Sequence, residues 1–205
     1  MMKLNALAIA TLLISIQVGV PAAAQELELI QEAPEPNPIR QLLETGNCPG
    51  CDLSRAILPD TNLAGADLSG ANLRAANLQA ANLQGANLTG ADLQHARLRR
   101  TNLTNADMSG ALISGAYFTS ANLTGVNLSN ATLAWVNLVN ANLAGADLSA
   151  ADLNHADLTS ANLSQADLGS ANLSSAKLYR ANLDQANLED VTWSRTIMPD
   201  GTIQE

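Results

Sequence analysis

The sequence predicts an all-β solenoid, a chain that turns at short, regular intervals and stacks coil upon coil. Three observations lead to this fold class. Apolar residues recur at every fifth position over most of the chain, Pro is absent from residues 60–198, and the 205 residues include only two Trp, two Tyr and one Phe. A globular core of large, irregularly spaced side chains is therefore not expected.

The five-residue period runs from Leu53 to Leu188 with no insertion or deletion that would shift its phase. Every fifth residue in this range is Leu, with three exceptions, and two positions before it stands a small residue, most often Ala. The position between them is usually Asn or Asp. The exceptions are Met108, Ile113 and Phe118, and the residues that continue the phase beyond this range are Trp193, Met198 and Ile203.

A five-residue period fits neither of the regular elements. On an α-helix, at about 100° per residue, successive Leu side chains would scatter around the surface, and on a strand they would alternate between two faces. A chain that turns once per repeat instead directs every Leu and every small residue inward. The last two residues of each repeat then lie outside, and Ala is favoured near the axis because little more than a methyl group fits there.

Residues 1–24 are typical of a secretory signal peptide, because a positive charge, an apolar run and small residues follow one another in that order. Lys3 precedes the apolar run Leu4–Val20, and cleavage is expected after Ala24. Polar residues within the run make an uncleaved membrane anchor the less favoured alternative. The mature chain is then predicted to have no membrane span.

The segments around the repeats have distinct compositions. Residues 25–37 are acidic and contain Pro, which is typical of a linker. Residues 38–50 are predicted to form a short helical cap that begins after Asn37 and stops at Gly46. The remaining segments are the repeats at 51–200 and a C-terminal tail at 201–205.

Representative repeats are Ala-Asp-Leu-Ser-Gly at 66–70 and Ala-Asn-Leu-Gln-Gly at 81–85. They resemble the pentapeptide-repeat family, whose consensus is A-(D/N)-L-x-x, and the resemblance extends over residues 51–200. It implies a right-handed quadrilateral β-helix with four pentads in each coil. The segments 42–54 and 196–202 are similar to those of exported cyanobacterial members.

Residues 20 positions apart give separate support for a four-sided coil. One column of middle positions contains only Asn, which allows a ladder of stacked amides between coils, and the next column mixes Asp with Asn. The first column is Asn62, Asn82, Asn102, Asn122, Asn142, Asn162 and Asn182, and the second is Asp67, Asn87, Asp107, Asn127, Asp147, Asp167 and Asn187.

Cys48 and Cys51 form the motif Cys-Pro-Gly-Cys and are the only two cysteines of the chain. In an exported protein we interpret them as a disulfide that fixes the N-terminal cap to the first coil. Two reduced thiols, a redox-active pair and a zinc site are the alternatives. A thioredoxin-like pair needs a βαβ context, which the sequence lacks, and a zinc site normally needs four ligands.

No motif predicts catalysis, and we expect neither an enzyme nor a bound cofactor or metal. The sequence lacks a Gly-rich phosphate loop, a nucleophile elbow and the His-Glu-x-x-His zinc motif. Asp alternates with Asn at one repeat position, which indicates a structural role. With 10 Lys+Arg against 19 Asp+Glu, the net charge of -9 makes nucleic acid an unfavourable partner.

Departures from the repeat pattern are the candidates for an interaction surface. With 20 residues per coil, basic and aromatic side chains fall on one side, and Trp135 projects outward beside His155 at the edge of that side. Exposed aromatic residues next to cations are typical of protein interfaces; random variation at unconstrained outward positions is the alternative explanation. The candidate residues are Arg97, Arg99, Arg100, Tyr117, Trp135, His155, Lys177, Tyr179 and Arg180.

These features indicate an exported, non-enzymatic, rigid β-solenoid that acts as a protein-interaction scaffold or spacer in the periplasm or the thylakoid lumen. The expected partner is an unidentified protein with an acidic surface. The resemblance also implies an alternative, a DNA-mimicking inhibitor or protector of a type II topoisomerase, which the signal peptide disfavours. A redox module built on Cys48 and Cys51 is the third interpretation.

Overall fold

A tight turn closes every five-residue repeat in the computed structural model, which describes residues 37–205. The backbone N–H of Ala56 donates to the carbonyl of Leu53 at 3.0 Å, and Arg55 between them has a φ of 58°. A positive φ at the third turn residue defines a type II β-turn. The fifth residue of every repeat from Gly50 to Arg195 has a positive φ, so the chain changes direction every five residues.

Parallel β-bridges join residues that lie 20 positions apart. Asn62 pairs with Asn82, and such pairs extend from Asn47 with Asp67 to Lys177 with Ile197. The bonds recur in register: for example, the N–H of Leu53 donates to the carbonyl of Asn72 at 2.8 Å. One coil therefore contains four pentads and has four sides.

The four sides are named here by the pentads that begin them. Side 1 starts with residues 51–55, side 2 with 56–60, side 3 with 61–65 and side 4 with 66–70, and each side recurs every 20 residues.

The interior is a continuous stack of Leu and Ala side chains. Every Leu-position residue from Leu53 to Leu178 is buried, including Met108, Ile113 and Phe118. The polar exception Thr101 is fully buried, and its hydroxyl donates to the carbonyl of Leu78 at 2.8 Å. A buried hydroxyl with such a partner avoids most of its desolvation cost, so the stack tolerates Thr at a small-residue position.

Helix α1 spans Pro38–Thr45 and closes the N-terminal end of the stack. The Asn37 side chain accepts hydrogen bonds from the N–H groups of Ile39 and Arg40, and Gly46 ends the helix in the left-handed conformation with a φ of 70°. Leu42 is the only buried residue of the helix. The coil begins earlier than the predicted boundary at residue 51, because Asn47 already pairs with Asp67.

A short hairpin follows the last coil. Strand β1, Thr196–Ile197, pairs antiparallel with strand β2, Ile203–Gln204. The predicted inward position of Ile203 is wrong, since the residue is 65% exposed. The chain reverses at Gly201, whose N–H donates to the carbonyl of Met198 at 2.9 Å, instead of continuing the coil. The predicted tail at 201–205 therefore contains a strand.

The predicted signal peptide, residues 1–24, lies outside the described residues. The same holds for the predicted linker at 25–37, except for Asn37. Within residues 37–205, the one helix is too short and too polar to cross a membrane.

Candidate interaction surface

The Asn and Asp side chains at the middle position of each repeat support the turns. The Oδ1 atom of Asp52 accepts the N–H of Ser54 at 3.0 Å, and the Oδ1 atom of Asn142 accepts the N–H of Ala144 at 3.3 Å. Because carboxylate and amide accept the same bond, the two residue types are interchangeable at this position. The hydrogen bonds from Ser54 also lower the pKa of Asp52.

The Asn column of side 3 forms an amide ladder in part. Asn82 Nδ2 donates to Asn62 Oδ1 at 3.0 Å. Farther along the side the amide of Asn122 donates instead to the hydroxyl of Thr104 at 2.9 Å, and that hydroxyl donates to Asn102 Oδ1 at 2.7 Å. Threonine hydroxyls thus replace the direct amide contact where they are available, and side 3 is occupied by its own hydrogen bonds.

Cys48 and Cys51 lie where α1 meets the first coil. The structure joins them through their sulfur atoms, with the Cα atoms 5.3 Å apart. Cys48 is fully buried, and residues 37–205 contain no group of three potential metal ligands around it or elsewhere. Formation of the disulfide in the native protein stays a prediction.

Side 2 brings one group of the predicted residues together in adjacent coils. Arg97 pairs with Tyr117 across the bridge between two coils, and Tyr117 is 50% exposed. Gln79, Arg97, Arg99 and Tyr117 line an open concavity of about 330 Å³. Arg100 occupies the corner that follows, with a φ of 58°. We name Arg97, Arg99, Arg100 and Tyr117 the basic cluster.

The other predicted residues of side 2 lie farther along the coil. Lys177 pairs with Asp157 on one side and with Ile197 on the other, and the guanidinium of Arg180 lies 5.0 Å from the ring centroid of Tyr179. Asn137 and Asp157 separate Lys177 from the basic cluster. The prediction of one continuous basic side is therefore wrong in this detail, because two groups of residues share side 2.

Trp135 and His155 form an exposed aromatic stack at the corner between sides 1 and 2. Their ring centroids are 3.9 Å apart and the planes meet at 10°. Trp135 is 65% exposed. On the other side of Trp135 the corner residue is Gly115, where a Cβ atom would come within 2.7 Å of the His95 ring. The imidazole of His95 therefore lies across this corner because no side chain is present there.

Sequence reasoning missed Leu112, a further exposed apolar residue next to this corner. It is 40% exposed at a middle position of side 1, in the coil that also contains Tyr117. A Leu where most repeats have Asn or Asp was the signal that would have found it. Leu112 and Tyr117 flank the Gly115 corner and enlarge the apolar surface beside Trp135.

The cations of side 2 have no acidic partners nearby. Within residues 37–205 the only ion pair joins Arg74 to Asp92 at 3.1 Å, on side 1. The charges of Arg97, Arg99 and Arg100 are therefore not neutralised by carboxylates in the described part of the chain, in a protein whose net charge is -9.

Solved structures of similar sequence come from cyanobacteria and a plant. HetL, a protein involved in heterocyst differentiation regulation in Nostoc sp. strain PCC 7120, is 31% identical; the match covers 81% of this chain and 97% of HetL, with a TM-score of 0.40. Rfr23 from Cyanothece 51142 is 25% identical over 78% of this chain and 93% of its own, with a TM-score of 0.43.

A pentapeptide repeat protein from the Arabidopsis thaliana thylakoid lumen is 28% identical over 52% of this chain and 71% of its own, with a TM-score of 0.40. A comparison with curated protein sequences gave no significant match.

The family assignment depends on the repeat profile and not on these superpositions. The profile described as pentapeptide repeats matches in eight copies, over residues 46–74, 71–110, 116–154, 127–165 and 151–190. Proteins of this type fold as right-handed β-helices. The resemblance inferred from the repeat consensus is thereby confirmed, and the chain belongs to the pentapeptide repeat family.

Proposed function

We propose that the protein is an exported, non-enzymatic, right-handed β-solenoid that binds another protein through the basic cluster and the Trp135–His155 corner. We assign it to the periplasm or the thylakoid lumen. The observation that carries the proposal is an exposed Trp at a backbone position that disfavours it, beside cations without acidic partners.

Trp135 occupies the fifth position of its repeat with a φ of 62°. This conformation costs a residue other than Gly about 1–2 kcal/mol, and bulky residues rarely adopt it. Gly takes the same position in many other repeats, as at Gly125 and Gly145. Stability alone therefore favours Gly over Trp at this corner. An exposed Trp that persists in a strained conformation supports a binding role, because strain concentrates at functional sites.

The charge distribution favours an acidic partner. The basic cluster forms a local positive region on an acidic molecule, and such a contrast orients the approach of a negatively charged protein. The concavity beside Tyr117 and the apolar surface of Leu112 provide area that a partner buries. The exposed ring of Trp135 is then suited to act as the central anchor.

Export is supported by the order of residues in 1–24 and by the use of cysteine. A Lys, an apolar run and a small-residue end are the features that secretory signals share. The two cysteines of Cys-Pro-Gly-Cys are close enough to pair, and disulfides persist in oxidising compartments. Both features favour a location outside the cytoplasm.

The test is affinity capture with the tagged full-length protein in the native host. We expect Trp135→Ala combined with Arg99→Glu and Arg100→Glu to lose the partners that the wild type captures from the envelope or lumen fraction. A matched variant, Gln165→Glu with Gln185→Glu, adds negative charge at corner positions away from this surface, and we expect it to retain them.

A second control changes side 3 through Asn82→Ser and Asn142→Ser. Loss of partners with this pair and retention with the first variant would place the binding site on side 3 and refute the proposal. If no variant changes the captured proteins, the outward exceptions are random variation and the molecule is only a spacer.

A further inference from the structure

The C-terminal end of the coil has backbone groups without partners. In the preceding coil the N–H groups of Leu163, Leu168 and Leu173 each donate to a carbonyl 19 residues later, at 2.8–2.9 Å. The equivalent N–H groups of the last coil have no acceptor within residues 37–205. They belong to Leu183, Leu188 and Trp193, on sides 3, 4 and 1.

The same three side chains are incompletely covered. They occupy the inward position of their repeats, yet they are only half-buried, whereas Leu163, Leu168 and Leu173 are fully buried. At the opposite end Leu42 of α1 closes the stack. The hairpin of β1 and β2 extends side 2 alone. The last coil therefore presents an open strand edge and an apolar floor on three sides.

Such an edge has the properties of a strand-accepting site. Unpaired N–H and C=O groups bind an extended segment through main-chain hydrogen bonds, and the apolar floor selects side chains that point toward it. A segment that continues the ladder must turn every five residues, so apolar residues are needed at that spacing.

The charge around the edge identifies the occupant. Asp184, Glu189 and Asp190 are exposed on the last coil, Glu205 is exposed in the tail, and Arg195 is the one cation of the last coil. Two C-terminal ends that faced each other would oppose these carboxylates, which disfavours a second copy of the chain. We propose that this edge binds a basic, extended segment of a different polypeptide, which adds a further coil to the solenoid.

The probe is a synthetic peptide of four Ala-Asn-Leu-Lys-Lys units, and its acidic counterpart has Glu in place of Lys. We expect the basic peptide to bind the purified protein and to slow hydrogen exchange at the amides of Leu183, Leu188 and Trp193. We expect the acidic peptide to bind at least about tenfold more weakly, because like charges then face each other.

Charge reversal at the edge supplies the variant. Glu189→Lys with Asp190→Lys is expected to weaken the basic peptide about tenfold. The fold should be retained, since Arg180 and Arg195 occupy the same corner position as Asp190 in neighbouring repeats. The control variant Glu44→Lys with Asp60→Lys makes the same charge change near the other end and should bind like the wild type.

Three results would overturn the inference. Equal binding of the two peptides would remove the charge argument, and binding without protection of the three amides would place the peptide elsewhere. Protection of these amides by self-association, detected as a concentration-dependent dimer in sedimentation without peptide, would make a second copy the occupant. None of these results depends on Trp135 or the basic cluster.

Discussion

Leu148 shows what an inward position requires of a residue. It is fully buried, in a column with Leu128 and Leu168 of the adjacent coils. We predict that Leu148→Asp destabilises the protein by several kcal/mol, about 3 or more, because a carboxylate without a partner would lie in an apolar stack. Urea unfolding followed by circular dichroism measures this change.

The control for this prediction is Leu148→Met, which keeps volume and polarity. It should cost less than about 1.5 kcal/mol, as the buried Met108 in the same column indicates. An unfolding midpoint for Leu148→Asp equal to that of the wild type would show that the side chain is not inside the coil.

The acidic residues of the turns predict a pH dependence. Hydrogen bonds from Ser54 lower the pKa of Asp52, with the backbone contribution first, and hydrogen bonds from the side chain and backbone of Ser69 lower the pKa of Asp67. A pKa that is lower in the folded than in the unfolded chain gives stability that is present above the unfolded value, about 3.9. That stability is lost as the pH falls through the lowered folded pKa.

We therefore expect Asp52→Asn with Asp67→Asn to flatten the decline of unfolding free energy in acid. The amide still accepts the turn hydrogen bond, as Asn72 does from the N–H of Arg74 at 3.2 Å, but it has no proton to gain. Urea unfolding from neutral pH down to about pH 2 compares the two proteins. Parallel pH profiles would contradict the assignment of the decline to these carboxyl groups.

At the scale of elements, the N-terminal cap depends on both helix packing and the cysteine link. The link closes a loop of sequence separation 3, and the chain-entropy model gives so short a loop at most about 3 kcal/mol. We predict that Cys48→Ser with Cys51→Ser speeds amide exchange in α1 and the first coil and leaves later coils unchanged. Loss of β-structure throughout the molecule would show that the cap is needed for folding.

The ends of the elements differ in how well the sequence predicts them. Asn37, Pro38 and Gly46 are residue types with a direct role at helix termini, so the limits of α1 could be inferred. The hairpin could not, because Met198 and Ile203 keep the repeat phase and only the backbone reversal at Gly201 takes Ile203 out of the coil. The replacement of amide contacts by Thr104 likewise depends on side-chain geometry.

For the whole molecule, the prediction concerns processing. The order of features in residues 1–24 predicts that the mature protein begins at Gln25. Intact-mass measurement of protein isolated from the native host, with fractionation of its compartments, tests this. A full-length chain recovered from the cytoplasm would refute both the cleavage and the proposed location.

The candidate surface was predictable in its residues but only partly in its arrangement. Spacing alone places Trp135 beside His155, because one coil contains 20 residues. It does not reveal that their rings stack, that His95 lies across Gly115, or that Lys177 is separated from the basic cluster. Those facts depend on rotamers and on the residues between columns, which a consensus does not specify.

The difference between the two periods, five residues for the turn and 20 for the bridge, sets how the gene can change in length. Duplication of a single pentad after Asn140 would leave the interior intact, yet it would rotate every downstream residue by a quarter turn. Ala150 would then take the place of His155 beside Trp135. Only duplications of a complete coil preserve both the core and the surface, so a lineage that uses this corner should gain or lose repeats four at a time on either side of it.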